Sequence, residues 1–152
     1  MKLVKIVLLT TNRKGLIMLS LEEYLAGQGI LRDADGDLKA TSKQVLEYLK
    51  DREFCSVDLS PVTMSENLSI NGLEFEDFHA QNCDFNGGLE IRNCKFTESL
   101  YLMTSYVQSL FRLENVEISG DLDMPQNLTE LSKEQIEILN IAVKGKTTID
   151  QP

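Results

Sequence analysis

The sequence predicts a mainly β protein organised around a short parallel β-helix, a β-solenoid of about three coils, with a small α/β cap before it and a helix after it. Two observations in residues 57–126 predict this fold. Pairs of apolar residues spaced two apart recur at a nearly constant interval, and residues common in turns stand between successive pairs. The units start at Val57, Leu68, Phe78, Leu89, Leu100, Phe111 and Leu122. The turn positions hold Pro61, Gly72, Asn82, Asn93, Thr104, Asn115 and Gln126.

The spacing of the pairs indicates coils. Residues two apart in a strand share one face, so each pair points inward while the residue between its members, such as Glu90 or Arg112, faces solvent. The connections are too short for a crossover helix, so the chain must turn a corner after each pair, and four corners close a coil. A coil therefore runs from one unit start to the second start after it, as from Val57 to Phe78, and about three coils are present. At roughly 4.8 Å per coil the repeat is about 15 Å tall.

Residues 1–56 are predicted to form an α/β capping module. Apolar runs at 3–9 and 16–19, separated by turn-prone residues, predict a hairpin. Ser20 with Glu23 forms a capping-box pattern and predicts a short helix that stops at residues 27–29. A tight turn at residues 34–37 follows, and Thr41 with Gln44 predicts a second helix up to about residue 52. Because a solenoid must shield its terminal coil from water and from edge pairing, we expect this module to cover the first coil.

Residues 127–152 are predicted to form a helical cap and a tail. The period of the repeat ends before this segment. Ser132 and Gln135 form a third capping-box pattern, and Ile136, Leu139 and Val143 recur at helical spacing. These features predict a helix over about residues 133–143, which would cover the last coil. Residues 146–150 are compatible with a final strand or with a tail.

Residues 83–87 form a five-residue unit that consists of a small residue, then Asp, Phe and two further residues. Looser versions of this unit begin at Leu73, Cys94, Ser105 and Val116. This unit resembles that of the pentapeptide-repeat family, over about residues 57–126. The resemblance implies a right-handed quadrilateral β-helix. The sequence departs from the family because alternate faces begin with a large residue, and because most spacings alternate between five and six. Another all-β solenoid or a leucine-rich solenoid therefore remains an alternative.

The charge of the chain is concentrated in the repeat. Residues 57–126 hold three Lys and Arg side chains against twelve Asp and Glu, so this segment alone carries a net charge of −9, equal to that of the whole chain. Nucleic acids and anionic membranes would be repelled by such a surface. The imbalance favours a basic protein as the partner.

Composition narrows the location and the class of protein. No stretch of roughly 18 apolar residues is present, and Lys5 interrupts the short apolar run near the start, so neither a membrane span nor a signal peptide is expected. Three cysteines without paired short spacing predict neither a disulfide framework nor a zinc site. These features favour a cytoplasmic protein.

The sequence contains no convincing catalytic, cofactor or metal site. Cys83 and Cys94 occupy equivalent core columns, and the single histidine, His79, has no nucleophile or carboxylate singled out beside it. Asp33, Asp35 and Asp37 resemble part of a calcium loop, but the positions that need Gly and Glu in that loop hold other residues. We therefore expect an acidic turn here and a protein that is not an enzyme.

Two functional hypotheses follow, and a third is kept as a minor alternative. The leading one is a binding protein whose acidic face meets a basic or DNA-binding protein. The family resemblance implies a specific version, since some pentapeptide-repeat proteins are similar to duplex DNA in shape and charge and occupy the DNA-binding surface of an enzyme such as a topoisomerase. The second is a self-assembly module, such as a homodimer, whose charge serves only solubility. The third is a small hydrolase or calcium-dependent protein that uses the aspartates of the 33–37 turn. The residues assigned to the acidic face are Glu74, Asp84, Glu90, Glu114, Glu117 and Asp123.

Overall fold

The computed structural model describes residues 19–149, and in this part of the chain the protein is mainly β, with parallel sheets and few helices. The predicted hairpin of residues 3–19 lies almost entirely outside the described residues. The helices are α1 (Leu21–Ala26) and α2 (Ser42–Asp51), and short 3-10 helices span Leu128–Glu130 and Lys133–Gln135. The strands are β1 (Leu38–Lys39), β2 (Val57–Asp58), β3 (Val62–Met64), β4 (Leu68–Asn71), β5 (Glu74–Phe75), β6 (Phe78–His79), β7 (Asp84–Phe85), β8 (Leu89–Phe96), β9 (Leu100–Tyr101), β10 (Tyr106–Val107), β11 (Phe111–Ile118), β12 (Leu122–Asp123), β13 (Ile136–Val143) and β14 (Thr147–Thr148).

The strands form three open parallel sheets. Sheet 1 has the order β2, β6, β9, β12, β14; sheet 2 has the order β1, β3, β7, β10; and sheet 3 has the order β4, β8, β11, β13, with β5 beside the second half of β8. In sheet 1, Val57 lies opposite Phe78, Phe78 opposite Leu100, and Leu100 opposite Leu122. Alternate predicted unit starts are therefore paired neighbours, which confirms the predicted interval between them. Each predicted start is also the first residue of a strand.

One apolar core joins the three sheets and the two helices. The inward members of the predicted pairs are buried, with the exception of Leu73, which is half-buried. The rings of Phe75, Phe78 and Phe96 lie 5.5–6.0 Å apart between centroids, at the junction of sheets 1 and 3. The alternation of apolar and polar residues thus places one side of every strand from β1 to β12 in a shared interior.

Five of the seven predicted turn residues adopt the backbone conformation that sharp corners require. Gly72, Asn82, Asn93, Thr104 and Asn115 have positive φ, between 53° and 74°. Asparagine tolerates this region better than other residues with a side chain. Its amide also links successive corners of sheet 3, since Asn93 Nδ2 donates to Asn71 Oδ1 at 2.8 Å and Asn115 Nδ2 donates to Asn93 Oδ1 at 3.1 Å.

Both predicted N-terminal helices are confirmed, and they cover the first turns of the sheets. Ser20 and Thr41 form capping boxes with Glu23 and Gln44, as their spacing predicts. The buried faces of the helices contribute to the common core. The predicted tight turn follows α1, and the strand after it, β1, pairs with β3 and so begins sheet 2. Neither α1 nor α2 is long and apolar enough to cross a membrane.

The predicted C-terminal helix over residues 133–143 is wrong. The capping box of Ser132 and Gln135 exists, but it caps only a 3-10 turn, and Ile136–Val143 is the strand β13. Its apolar residues continue columns of the sheet, with Ile136 opposite Phe111 and Ile141 opposite Val116. Pairing with β11 outweighs helical spacing here because the β-branched residues of this segment suit a strand. Of the two readings of residues 146–150, the strand is correct for Thr147–Thr148.

Candidate interaction surface

Half of the twelve acidic residues of the repeat lie along sheet 1. Asp58 and Asp123 are outward residues of this sheet, and four further acids lie in the turns that lead into its strands. No Lys or Arg occurs in residues 56–58, 76–79, 98–101 or 120–123, which make up this side as far as β12, and Lys146 lies in the next turn, before β14. We call the set the acidic strip. It consists of Asp58, Glu76, Asp77, Glu98, Asp121 and Asp123.

Hydrogen bonds hold the turns of the acidic strip in register. Ser99 N donates to Asp77 Oδ1 at 3.0 Å, Asp121 N donates to Ser99 Oγ at 2.9 Å, and Lys146 N donates to Asp121 Oδ1 at 2.9 Å. Each side chain thus accepts a hydrogen bond from the backbone of the following turn. The turns that carry the carboxylates are thus kept one strand spacing apart, about 4.8 Å, along the side of the molecule.

The acidic strip has no cationic partners in the described part of the chain. No side-chain nitrogen of a Lys or Arg in residues 19–149 lies within 4.0 Å of its carboxylates, and the ion pairs that form in this range are elsewhere. Like charges at this spacing reinforce one another and produce a negative potential over the strip. The ion pairs join Arg32 to Glu22, Lys39 to Asp33, and Arg112 to both Glu90 and Glu137.

An aromatic pair lies between the two outward aspartates of sheet 1. The rings of His79 and Tyr101 stack at 4.9 Å between centroids, with 21° between their planes. The register places Asp58 next to His79 and Asp123 next to Tyr101, and all four side chains are partly exposed. Arginine can stack on such rings and pair with a neighbouring carboxylate at the same time. The strip therefore offers a cation both charge and a flat apolar surface.

The six acids predicted from the sequence do not form one face. Of them, Asp123 belongs to the acidic strip, whereas Asp84 lies in sheet 2. Glu90 lies in sheet 3, and its carboxylate accepts hydrogen bonds from Arg112 at 3.1 Å and Asn67 at 2.7 Å. The side chain of Glu90 is only 12% exposed, so little of this carboxylate remains for a partner.

The other three predicted acids also lie along sheet 3, close to cationic residues. Glu74 and Glu117 lie on either side of Lys95 in the register, and Glu114 lies opposite Arg92. Opposite charges across neighbouring strands reduce the local potential. Sheet 3 is therefore a mixed surface, in contrast to sheet 1.

Four of the six residues of the acidic strip lie in turns, whereas the acidic face predicted from the sequence consists mainly of outward strand residues. The signal is present in the sequence, since acids stand one or two positions before three alternate unit starts, as in Asp77 before Phe78 and Asp121 before Leu122. It becomes visible only when every second unit is compared, because successive units lie on different sides of the molecule.

The remaining candidate residues have structural explanations. The carboxylates of Asp33, Asp35 and Asp37 lie within 4.8 Å of one another, but Asp33 pairs with Lys39 at 2.9 Å and accepts the N–H groups of Asp35 and Asp37. The hydrogen bond from Lys39 lowers the pKa of Asp33. These contacts are those of an ordinary acidic turn.

The cysteines are buried and are not activated by their surroundings. Burial raises the pKa of Cys83 to about 12 and also raises the pKa of Cys94. A thiol with a raised pKa carries little of the nucleophilic thiolate at neutral pH.

Comparison with known proteins finds no matching family model, no similar curated protein and no similar solved structure. The functional argument therefore depends on the geometry of the chain itself.

Proposed function

We propose that this chain is a non-enzymatic binding protein in which a short right-handed β-solenoid presents its acidic strip to a basic protein. The order in which the chain visits the sheets supports the solenoid. After β6 in sheet 1 the chain enters sheet 2 at β7 and sheet 3 at β8, and it returns to sheet 1 at β9, where Leu100 lies opposite Phe78 of β6. The same path is repeated through β10 and β11 to β12. All the pairings between successive turns are parallel, as a solenoid requires.

The observation that carries the binding proposal is that no carboxylate of the acidic strip forms an ion pair within residues 19–149. Surface acids in this protein form ion pairs where partners are available, as Glu90 and Glu137 do with Arg112. The strip instead concentrates six carboxylates on one side, next to a stacked aromatic pair. A basic segment that binds there supplies the missing counter-charges and gains stacking on Tyr101.

The charge density of the acidic strip supports a DNA-like version of this proposal. From Asp58 to Asp123 the strip crosses three strand spacings, about 14 Å at about 4.8 Å each. Duplex DNA carries one charge per roughly 1.7 Å and so holds about eight charges in this length. Six carboxylates on one side approach that density. A protein surface that binds a duplex without reading its bases is therefore the partner class that fits best.

A salt-dependent titration tests the proposal. A fluorescent oligo-arginine peptide should bind the protein, and an oligo-glutamate peptide should not. Because the interaction is electrostatic, the affinity should fall at least about tenfold when salt rises from about 50 to about 200 mM. The DNA-like version is tested by displacement of a labelled duplex from a DNA-binding enzyme such as a topoisomerase.

Two triple variants with the same change in charge locate the binding surface. Glu76→Gln, Glu98→Gln and Asp123→Asn together remove half of the acidic strip and should abolish the salt-dependent part of the affinity. The control combines Asp84→Asn, Glu114→Gln and Glu117→Gln, which lie outside the strip, and should retain most of the affinity. Equal losses in the two variants would show that only net charge matters and would overturn the proposed surface. Absence of any salt-sensitive binding would overturn the function.

A further inference from the structure

The sheets end at an open edge on the C-terminal side. Among residues 19–149, β13 is the last strand of sheet 3 and pairs only with β11. Earlier in the stack the N–H groups of inward residues donate to the following turn, as Leu89 N does to Leu110 O at 2.9 Å and Leu122 N does to Lys146 O at 2.8 Å. The same alternation directs the backbone groups of four residues in β13 away from β11, although the N–H of Ile136 donates to Lys133 O. These residues are Ile136, Ile138, Ile141 and Val143.

The side chains of these four residues are also incompletely covered. Each packs against the core but is only partly buried. Their counterparts in β11 are at most 1% exposed, because β13 covers them. An open strand edge with an apolar layer beneath it is a template for pairing with another chain. The counterparts in β11 are Phe111, Leu113, Val116 and Ile118.

The N-terminal end of the stack and the C-terminal edge of sheet 2 are closed, and the exposed edge strand of sheet 1, β14, has only two residues. The helices α1 and α2 bury Leu21, Leu25 and Leu49 against the core at the N-terminal end. At the C-terminal end of sheet 2, the side chain of Asn127 bonds both backbone groups of Val107. A second copy therefore cannot continue the stack head to tail at the helical end. Two C-terminal ends can meet, and such a contact uses the same surface on both copies and closes as a dimer.

We propose that two copies of this chain pair their β13 strands antiparallel, about a two-fold axis that passes between Leu139 and Asn140. The strand is self-complementary about this point. The corner residue Asn140, with a φ of 53°, lies at the axis, and the inward residues are placed symmetrically around it. Ile138 then lies opposite Ile141 of the partner subunit, and Ile136 lies opposite Val143 of the partner subunit. The outward backbone groups of Ile138 and of Ile141 of the partner subunit become a hydrogen-bonded pair, and the C=O of Ile136 accepts the N–H of Val143 of the partner subunit.

Charge favours this end of the molecule as the contact between copies. Residues 127–149 contain three Lys and three Glu, whereas residues 57–126 carry a net charge of −9. Two copies that meet at the C-terminal end therefore bring together neutral surfaces and keep their acidic strips apart. The antiparallel register also places Glu137 diagonally across from Lys144 of the partner subunit. The dimer does not depend on the binding function proposed for the strip.

Sedimentation of the full chain over a range of concentrations tests the dimer. We expect a monomer–dimer equilibrium that is not weakened by added salt, unlike binding to the acidic strip. Leu139 is 49% exposed and lies at the proposed axis, so Leu139→Lys should raise the dimer dissociation constant by about tenfold or more. Leu31 is 71% exposed in the N-terminal module, and Leu31→Lys, the matched control, should leave the constant unchanged.

A backbone substitution provides the second test. Ile138→Pro removes an N–H group from the open edge and none from the pairing with β11, so the fold should persist while the dimer is lost. Amide exchange at Ile138, Ile141 and Val143 should slow as protein concentration rises. A monomer at every concentration would overturn the proposal. So would a dimer that tolerates both Leu139→Lys and Ile138→Pro, because its interface would lie elsewhere.

Discussion

Asn127 takes the place of a further strand beside Val107. Its Oδ1 accepts from Val107 N at 2.9 Å, and its Nδ2 donates to Val107 O at 2.8 Å. These are the two bonds that a neighbouring strand would form with a residue of β10, and β10 is the last strand of sheet 2. Asn127 is 7% exposed, so this edge is closed by one buried amide. Sheet 2 therefore ends inside the protein, whereas sheet 3 ends at the open strand β13.

Asn127→Leu should destabilise the protein by about 2–3 kcal/mol, because it leaves the buried N–H and C=O of Val107 without partners. Urea unfolding at neutral pH measures the change. Asn86 is exposed, and Asn86→Leu, the control, should change the free energy of unfolding by less than about 0.5 kcal/mol. If Asn127→Leu also lowered the free energy of unfolding by less than about 0.5 kcal/mol, the side-chain amide of Asn127 would not be replacing a strand.

Tyr48 should make the protein sensitive to alkaline pH. Its hydroxyl donates to Leu19 O at 2.7 Å and accepts from Asp58 N at 3.2 Å, and burial raises its pKa to about 12. A phenol whose pKa is raised on folding contributes stability that is fully present below its unfolded pKa of about 10 and is lost as pH rises through the folded value. We expect a loss of about 2–3 kcal/mol between pH 10 and pH 12 from this group.

Unfolding measured at several alkaline pH values tests this expectation. Tyr48→Phe should be less stable than the unmodified protein at pH 8, because the hydroxyl bonds are lost. It should also lose less stability between pH 10 and pH 12. Parallel pH profiles for the two proteins would contradict the assignment of this titration to Tyr48.

The strands of the repeat can be predicted from the sequence because apolar and polar residues alternate along each of them. A residue such as Phe85 is apolar, lies two positions after another core residue and has few alternatives to the interior. The same local pattern could not distinguish a helix from a strand at Ile136–Val143. There the deciding interaction is with β11, which is separated from β13 by the strand β12 and two 3-10 helices. Local periodicity carries no information about such a distant partner.

The acidic strip illustrates a second limit of local patterns. The outward position of Glu90 is evident from alternation, but its ion pair with Arg112 joins two different strands, β8 and β11. Neutralised and free carboxylates therefore look the same in the sequence. Asp77 and Asp121 are on the same side only because the turns that hold them are stacked through Ser99, which lies in the turn between them. Which carboxylates lie on the same side therefore depends on how turns that are distant in the sequence stack on one another.

Gly120 should not tolerate a side chain. A Cβ at this position would approach Glu98 O to 2.7 Å, and that carbonyl is held in place because it accepts the N–H of Gly120 at 2.6 Å. Gly120→Ala should therefore cost about 1–3 kcal/mol through displacement of the two stacked turns. Gly27 is the matched control, since a Cβ there meets nothing closer than 3.4 Å, and Gly27→Ala should be neutral or slightly stabilising. A neutral Gly120→Ala variant would show that the turns are less closely stacked.

The register of the repeat is tested by two neighbouring positions in β7. Phe85 is fully buried and Asp84 is exposed, as alternation requires. Phe85→Asp places an unpaired carboxylate in the apolar core and should abolish cooperative folding, which circular dichroism and thermal unfolding can measure. Asp84→Ala should keep the melting temperature within a few degrees. Ile91, in β8, is buried in the same core, and Ile91→Asp should behave as Phe85→Asp does. If Phe85→Asp retained the melting temperature of the unmodified protein, the inward assignment of this column would be wrong, and so would the pairing of alternate units that depends on it.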